Sequence, residues 1–224
     1  MATWLLGTVI LVPALAAPSQ DSKPEAGNLA INVALQRKQR DEWRFVDPET
    51  VFHSGEEIRF RFRSSRGGFL YVLNRSSSGQ STWLFPRSHE GQNSRVEPGP
   101  DYLVPGTKGS FIVEGSPGFD VTYWILSPTP VDVRETSQPV PGSQPSTLEP
   151  RCRTETLKAR GLCVDDRAGP GPVRESADAP LSVLRSGSLV SRDLKFHSQD
   201  GTTRISSADP QNRTIVYEFR IAHD

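Results

Sequence analysis

Short segments that alternate between apolar and polar residues recur along this chain, and Gly, Pro or Ser residues separate each segment from the next. Alternation with a period of two predicts β-strands that bury one face and expose the other. Regular short strands with turn residues between them favour an all-β fold, a β-sandwich of immunoglobulin-like or related type. The main candidates are LAINVALQR from Leu29, IRFRFRS from Ile58, GFLYVLN from Gly68, FDVTYWIL from Phe119 and TIVYEFRIAHD from Thr214.

The segment FLYVLNRSSSGQSTWLFP carries the strongest hairpin signal in the chain. FLYVL is apolar at consecutive positions, which predicts an interior strand that is covered on both faces. NRSSSGQS supplies the Ser and Gly residues of a turn, and Asn74 is interpreted as a turn residue. TWLFP then returns as the second strand, and Pro86 ends it because proline cannot donate a ladder hydrogen bond.

The N-terminus is apolar almost without interruption from Trp4 to Ala17. This run is shorter than the roughly 20 residues that span a membrane, and it has the length of the hydrophobic region of a signal peptide. The triplet ALA that ends at Ala16 has the small-x-small pattern of a cleavage site, so residues 1–16 are predicted to be removed on export. The protein would then be periplasmic or secreted, with no transmembrane segment after cleavage. The alternative is an intracellular protein in which this run is a buried strand or helix.

The chain has two cysteines, Cys152 and Cys163. In an oxidising compartment they can form a disulfide that closes a short loop and stabilises the fold by roughly 3 kcal/mol. Two cysteines at this spacing with no histidine nearby do not make a zinc site, and no metal or cofactor is predicted. The alternative is a pair of free, buried thiols in a reducing cytoplasm.

A polar region separates the two β-rich parts of the chain. Residues 128–150 are rich in Pro, Ser, Thr and Gln, TETLKARGLC is compatible with a short helix that ends near Gly161, and AGPGPVRESADAP is interpreted as a loop. The apolar C-terminal strand needs a partner, since an isolated two-stranded hairpin is marginal in water. We therefore predict one β-domain with a long, Pro-rich, disulfide-stapled insertion, and a separate C-terminal hairpin module is the alternative. The predicted parts are a signal peptide (1–16), a polar linker (17–28), a β-sandwich core (29–127), the insertion (128–186) and C-terminal strands that complete the β-domain (187–224).

The block from Phe52 to Gly106 has a characteristic order of features. A Gly-acid turn precedes an alternating strand, and GGFLYVLN, a Gly-containing turn, LFP, an Asn-containing loop and Y-x-V-P follow. In this order the chain resembles the bacterial domain of unknown function 4384, roughly from Ala30 to Pro128, and GFLYVLN followed by WLFP is the specific part. The resemblance implies a β-sandwich-like accessory domain of exported or envelope-associated bacterial proteins, with a recognition or scaffolding role. The family has no established activity, so the resemblance implies no catalytic residues.

Charge and motifs argue against several classes of function. The 26 Lys and Arg residues are balanced by 26 Asp and Glu residues, so no net field draws the chain to nucleic acid. The sequence has no Gly-x-Ser-x-Gly elbow, no His-Glu-x-x-His helix and no Gly-rich phosphate loop, and its four histidines are scattered. We therefore predict that the protein is not an enzyme. A hydrolase or thiol enzyme that uses Cys163 or a histidine is the alternative.

Four residues, Trp83, Arg87, His89 and Asn93, form the candidate ligand surface. Trp83 lies beside the predicted hairpin turn, and the other three belong to the polar segment RSHEGQN. If all four line one groove, the ring and the polar groups together suit a carbohydrate or a peptide. The leading interpretation is nevertheless a non-catalytic interaction or scaffolding module whose partner is another envelope or secreted protein, and a carbohydrate- or peptide-binding module is the alternative.

The segment IRFRFRS places Arg59, Arg61 and Arg63 on the outward face of one strand. Neighbours on one face of a strand lie about 7 Å apart, so two such charges repel by roughly 0.6 kcal/mol in water. Carboxylates on neighbouring strands, such as Glu218 in VYEFRI, can compensate this repulsion. We interpret the row as a hydrated, cross-paired face that also discourages edge pairing, rather than as an anion site.

Overall fold

The computed structural model describes residues 29–87, 93–106, 109–131, 148–174, 193–207 and 213–224, and every structural statement below refers to this part of the chain. These residues form fourteen strands and one short helix. In chain order they are β1 (Leu29–Gln39), β2 (Glu42–Val46), β3 (Val51–Phe52), β4 (Glu57–Ser64), β5 (Gly68–Arg75), β6 (Ser81–Phe85), β7 (Arg95–Val96), β8 (Asp101–Val104), β9 (Phe111–Ile112), β10 (Gly118–Ser127), α1 (Thr154–Arg160), β11 (Gly169–Gly171), β12 (Lys195–Gln199), β13 (Thr202–Ser207) and β14 (Ile215–His223).

The strands form two sheets in a sandwich-like arrangement. The first sheet has the order β12-β13-β1-β4-β8, with β2 also paired to β1 and β9 also paired to β4. The second sheet has the order β11-β14-β10-β5-β6, with β3 also paired to β14 and β7 also paired to β5. Buried apolar side chains from both sheets belong to one core cluster. The predicted all-β, sandwich-like fold is therefore confirmed.

Aromatic rings fill the space between the two sheets. Trp124 of the second sheet is fully buried, and its ring stacks on Phe62 of the first sheet with the centroids 5.7 Å apart. Phe60 meets the same indole edge to face at 5.2 Å, and the Tyr217 ring also stacks on Trp124, with the centroids 5.8 Å apart. The indole N–H donates a hydrogen bond of 2.9 Å to the Thr122 hydroxyl, so this polar atom is satisfied inside the core. The apolar side of IRFRFRS thus anchors the sandwich.

The predicted hairpin is present as β5 and β6, which pair antiparallel. Strand β5 lies between β10 and β6; its Leu70 and Val72 side chains enter the inter-sheet core, while Tyr71 and Leu73 belong to a second apolar cluster. The prediction of a turn position for Asn74 is wrong. Asn74 is a strand residue opposite Thr122 of β10, because the long partner strand extends the ladder beyond the apolar stretch.

The C-terminal segment contributes to both sheets. Strand β14 lies between β10 and β11 in the second sheet, while β13 pairs with β1 in the first sheet and β12 pairs with β13. The loop interpretation of AGPGPVRESADAP is wrong at Gly169–Gly171, which pair with β14 as β11. This strand lies at the sheet edge, where a proline is tolerated because one side of the strand needs no ladder partner. The boundaries placed at residues 127 and 186 stay predictions, because residues 132–147 and 175–192 lie outside the described part.

The disulfide loop of the predicted insertion is hydrogen-bonded to β3. Cys152 and Cys163 form the predicted disulfide, and the Val51 N–H donates to the Cys163 carbonyl at 2.9 Å. Buried Asp165 accepts hydrogen bonds from the Arg167 guanidinium and from the Arg151 backbone N–H. Burial alone would raise the pKa of Asp165, but these hydrogen bonds hold it below its usual range.

The short helix α1 lies within the disulfide loop and is exposed along most of its length. It ends at Gly161, whose φ of 64° is the left-handed conformation that glycine adopts readily at helix C-termini. No helix in the described ranges is both long enough and apolar enough to cross a membrane.

Candidate binding surfaces

The outer face of the first sheet carries a surplus of positive charge. In β4, the residues that alternate with the buried Ile58, Phe60 and Phe62 point away from the second sheet, and the strand registers identify their neighbours on the same face. The described strand positions of this face include six basic side chains and two acidic ones, a surplus of four positive charges. We call this surface the cationic face: Lys38, Arg59, Arg61, Arg63, Lys195 and Arg204, with Glu57 and Asp101 as the acids and Trp43 and Phe45 as the aromatic residues.

Two of the three β4 arginines have partners within the sheet. Arg61 forms an ion pair with Asp101, and its guanidinium lies 5.8 Å from the centre of the Phe45 ring. The hydrogen bond to this carboxylate raises the pKa of Arg61. Arg59 donates to the Gln36 side-chain oxygen at 2.8 Å and lies over the Trp43 ring at 4.1 Å. Desolvation, with a smaller contribution from the charge of Arg61, lowers the pKa of Arg59.

The third arginine of the row is different. Arg63 lies between Asn32 of β1 and Asp101 of β8, but the Asp101 carboxylate pairs with Arg61. Asn32 in turn faces Arg204 of β13, so the two arginines flank one amide on three adjacent strands. Both arginines are exposed, and neither makes an ion pair or side-chain hydrogen bond within the described residues. Arg63, but not Arg204, lines a hollow of about 280 Å³, together with Asn32, Ala34, Phe45, Arg61, Asp101 and Thr202. The pairing of Arg61 agrees with a cross-paired face, but Arg63 and Arg204 leave part of the face uncompensated.

Glu218 does not compensate the arginine row as the sequence suggested. It belongs to β14 in the second sheet and is 1% exposed. Its carboxylate accepts from the Arg220 guanidinium at 2.8 Å and from the backbone N–H of Arg174 at 3.2 Å. The alternation in VYEFRI marks Glu218 as facing away from Tyr217 and Phe219, but the sequence does not reveal that this side is also covered.

The residues of the predicted ligand surface do not line one groove in the described part of the chain. The Trp83 ring packs against Tyr71 at 6.4 Å in the cluster on the outer side of the second sheet. Arg87 instead lines a cleft between the two sheets, and the exposed Asn93 accepts a hydrogen bond from the backbone N–H of Arg95. His89 lies outside the described residues. Strand β6 directs Trp83 to the opposite face from its neighbours, and a ligand-binding role for these four residues stays a prediction.

The cleft that Arg87 lines is a site that the sequence interpretation missed. It has a volume of about 430 Å³ and lies between the sheets beside the edge strands β6 and β9. We call it the inter-sheet cleft. One wall is apolar and is made by Ile58 and the β9 region, whereas inward positions of the second sheet supply polar groups: Asn74, Thr82, Asp120 and Thr122. The signal that could have revealed it is the change from apolar to polar residues at the inward slots of GFLYVLN and FDVTYWIL.

A buried histidine lies close to this cleft. His223 is 1% exposed, and its Nε2 atom lies 3.4 Å from the Asp120 carboxylate, which also accepts a 2.7 Å hydrogen bond from the Ser77 N–H. The Ser77 hydroxyl donates to the Ser116 carbonyl and not to the histidine. These groups are therefore not arranged as a nucleophile and its base. Within the described ranges, no group of three or more His, Cys, Asp or Glu side chains is placed to hold a metal ion.

Residues 51–130 match a family model with the description Domain of unknown function (DUF4384). The resemblance predicted from the sequence is confirmed over these residues, which run from β3 to just beyond β10. The match covers 80 of the 224 residues of the chain. It includes the three arginines of β4 and most of the inter-sheet cleft, but not Arg204. No curated protein and no solved structure matches the chain.

Proposed function

We propose that this protein is an exported, non-catalytic interaction module that binds an acidic segment of another envelope or secreted protein through the cationic face. The observation that carries the proposal is the surplus of four positive charges on one sheet face of a chain whose formal net charge is zero. Complementary charge steers a partner to such a surface and sets its orientation.

The composition of the cationic face supports this role. Arginine and aromatic residues are enriched where proteins bind one another, and here two guanidinium groups lie against the Trp43 and Phe45 rings. Arg63 and Arg204 are exposed and without partners among the described residues, so a carboxylate from a partner can pair with them without first breaking an internal ion pair.

The size of the face fits a transient contact. Five strands about 4.8 Å apart and four outward positions about 7 Å apart along β4 give a footprint of about 20 Å by 20 Å. This is at the low end of specific interfaces between proteins. Binding through such a surface depends on charge, and it weakens as salt screens the interaction.

Export and the absence of catalysis are parts of the proposal that rest on the sequence. The apolar N-terminal run and the cleavage pattern at Ala16 support export, and the Cys152–Cys163 disulfide is compatible with an oxidising compartment. Sequencing the N-terminus of the native protein tests this part. We expect the chain to begin at Ala17, whereas an intact start at Met1 or Ala2 would refute export.

Binding is tested by calorimetric titration with poly-L-glutamate, using poly-L-lysine and dextran sulfate as comparison ligands. We expect poly-L-glutamate to bind, the affinity to fall between about 50 and 200 mM salt, and poly-L-lysine not to bind. The double variant Arg63→Ala/Arg204→Ala should weaken binding at least about tenfold. The control Lys158→Ala/Arg160→Ala removes the same charge from exposed positions of α1 and should change binding little.

Three results would count against the acidic protein partner. These are an absence of poly-L-glutamate binding, an equal loss in both double variants, and binding of dextran sulfate alone, which would assign the face to an anionic glycan. Urea unfolding of each variant checks that the fold is intact.

A further inference from the structure

We infer that the inter-sheet cleft binds a neutral saccharide unit, with hydrogen bonds from the sugar hydroxyls to one wall and apolar contact with the other. The proposal stands apart from the proposed function, because the cleft opens between β6 and β9 and not on the cationic face.

The polar wall is unusual for the interior of a β-sandwich. Thr82, Asn74 and Thr122 lie side by side on β6, β5 and β10, on the side of the sheet that elsewhere carries apolar core residues. Thr122 is satisfied within the protein, since its hydroxyl donates to the Phe219 carbonyl and accepts from the Trp124 indole. The Asn74 side-chain oxygen is buried and has no hydrogen-bond partner in the described part of the chain. A buried acceptor without a donor is rare and calls for a reason, such as a ligand.

Three side chains that line the cleft present acceptor oxygens, namely Asn74, Asp120 and Glu114. One oxygen of the Asp120 carboxylate accepts from the Ser77 N–H, whereas the Asn74 side-chain oxygen receives no hydrogen bond from the described residues. The exposed Glu114 carboxylate at the rim likewise makes no contact with a donor among them. A ligand that matches this wall must therefore supply several hydrogen-bond donors. Sugar hydroxyls meet this requirement, and they can also accept from the Asn74 amide and the Thr82 hydroxyl that line the cleft.

The opposite wall favours a ligand with an apolar face. The Phe111 ring lines the cleft and is held edge to face against Phe60 at 5.9 Å, and the neighbouring Ile112 is 55% exposed. The C–H face of a pyranose ring suits such a surface, and the volume lies within the range of small-ligand pockets. Arg87 lines the same cleft as the two carboxylates, and the presence of both signs of charge favours a neutral ligand.

The proposal is tested by calorimetric titration with three neutral disaccharides: cellobiose, maltose and N,N′-diacetylchitobiose. We expect at least one to bind, and Asn74→Ala to weaken its binding at least about tenfold. The matched control is Asn32→Ala, which makes the same substitution on the outer face of the first sheet and should leave sugar binding unchanged. Phe111→Ala should also weaken binding, and Phe45→Ala, which removes an exposed ring elsewhere, should not.

Added salt and the Arg63→Ala/Arg204→Ala variant should leave sugar binding unchanged, so failure of this proposal and failure of the proposed function are distinguishable. The absence of binding for all three sugars up to about 10 mM would overturn the proposal. An equal effect of Asn74→Ala and Asn32→Ala would overturn it too, as would binding of trialanine in place of any sugar. Urea unfolding of the variants separates a lost site from a lost fold.

Discussion

The buried carboxylate of Glu218 is expected to be one of the most sensitive positions in the fold. It is 1% exposed and faces the Arg220 guanidinium, whose side chain is 10% exposed, at 2.8 Å. Replacement by glutamine leaves Arg220 buried without an opposite charge, which typically costs about 3–5 kcal/mol. Arg174 also contacts this carboxylate, but its side chain is 36% exposed and can turn to water. We therefore expect Glu218→Gln to lower the free energy of unfolding by about 3 kcal/mol, a large part of the stability of a typical domain.

Urea unfolding monitored by tryptophan fluorescence measures this loss. The matched control is Glu97→Gln, which removes a carboxylate from an exposed pair with Arg95 and should change the free energy of unfolding by about 1 kcal/mol or less. The double variant Glu218→Leu/Arg220→Met removes both buried charges and should recover most of the loss. If Glu218→Gln costs no more than the control, or the double variant is no better than the single one, the reasoning about an uncompensated buried charge is wrong.

Three further outcomes follow from buried or constrained groups. Replacing both Cys152 and Cys163 by serine should lower the free energy of unfolding by about 3 kcal/mol in urea, because the open loop has more conformational entropy when unfolded. The pKa of Asp165 is lowered in the folded state, so the ionised carboxylate stabilises the fold fully above about pH 3.9, and this contribution is lost as the pH falls through the lowered pKa. Asp165→Asn should therefore make the free energy of unfolding in urea fall less steeply as the pH is lowered. Tyr217→Phe should raise the free energy of unfolding by up to about 1 kcal/mol, because it deletes a buried hydroxyl that has no hydrogen-bond partner in the described residues. Burial also raises the pKa of the Tyr217 phenol, so alkaline titration at 295 nm should show this tyrosine ionising at a higher pH in the folded wild type than in the unfolded chain.

The local sequence pattern predicted the positions of the strands well, but it did not predict which of their outward faces are covered. The alternation in IRFRFRS correctly marks Phe60 and Phe62 as buried, because a period of two follows from strand geometry alone. The same alternation cannot show what covers the other face. By its period Glu218 occupies the position of a hydrated residue, yet it is buried, because non-strand segments that include Val131 and Val173 pack on the outer side of the second sheet.

The candidate site was harder to predict than the fold because it depends on long-range pairing. Trp83 and Arg87 are four residues apart, but strand β6 directs Trp83 to the outer cluster, and Arg87 lines the inter-sheet cleft. The cleft itself joins positions from β4, β5, β9 and β10, which no local window brings together. In the sequence, the cleft is indicated only by polar residues at positions that face the other sheet, such as Asn74 and Thr122. The turn-like composition after Asn74 obscured this indication.

Strand β4 links the two candidate sites, since Ile58 lines the cleft while Arg59, Arg61 and Arg63 belong to the cationic face. The two sites differ in how much of each lies within the segment that matches the family model. Nearly all of the cleft falls within residues 51–130, whereas Arg204, which completes the unpaired arginines of the cationic face, belongs to β13 outside this segment. The proposed saccharide site is thus built almost entirely from the segment that matches the family model. The cationic face requires the strands that precede and follow that segment, because β1 supplies the Asn32 amide beside Arg63 and β13 supplies Arg204 on the other side of that amide.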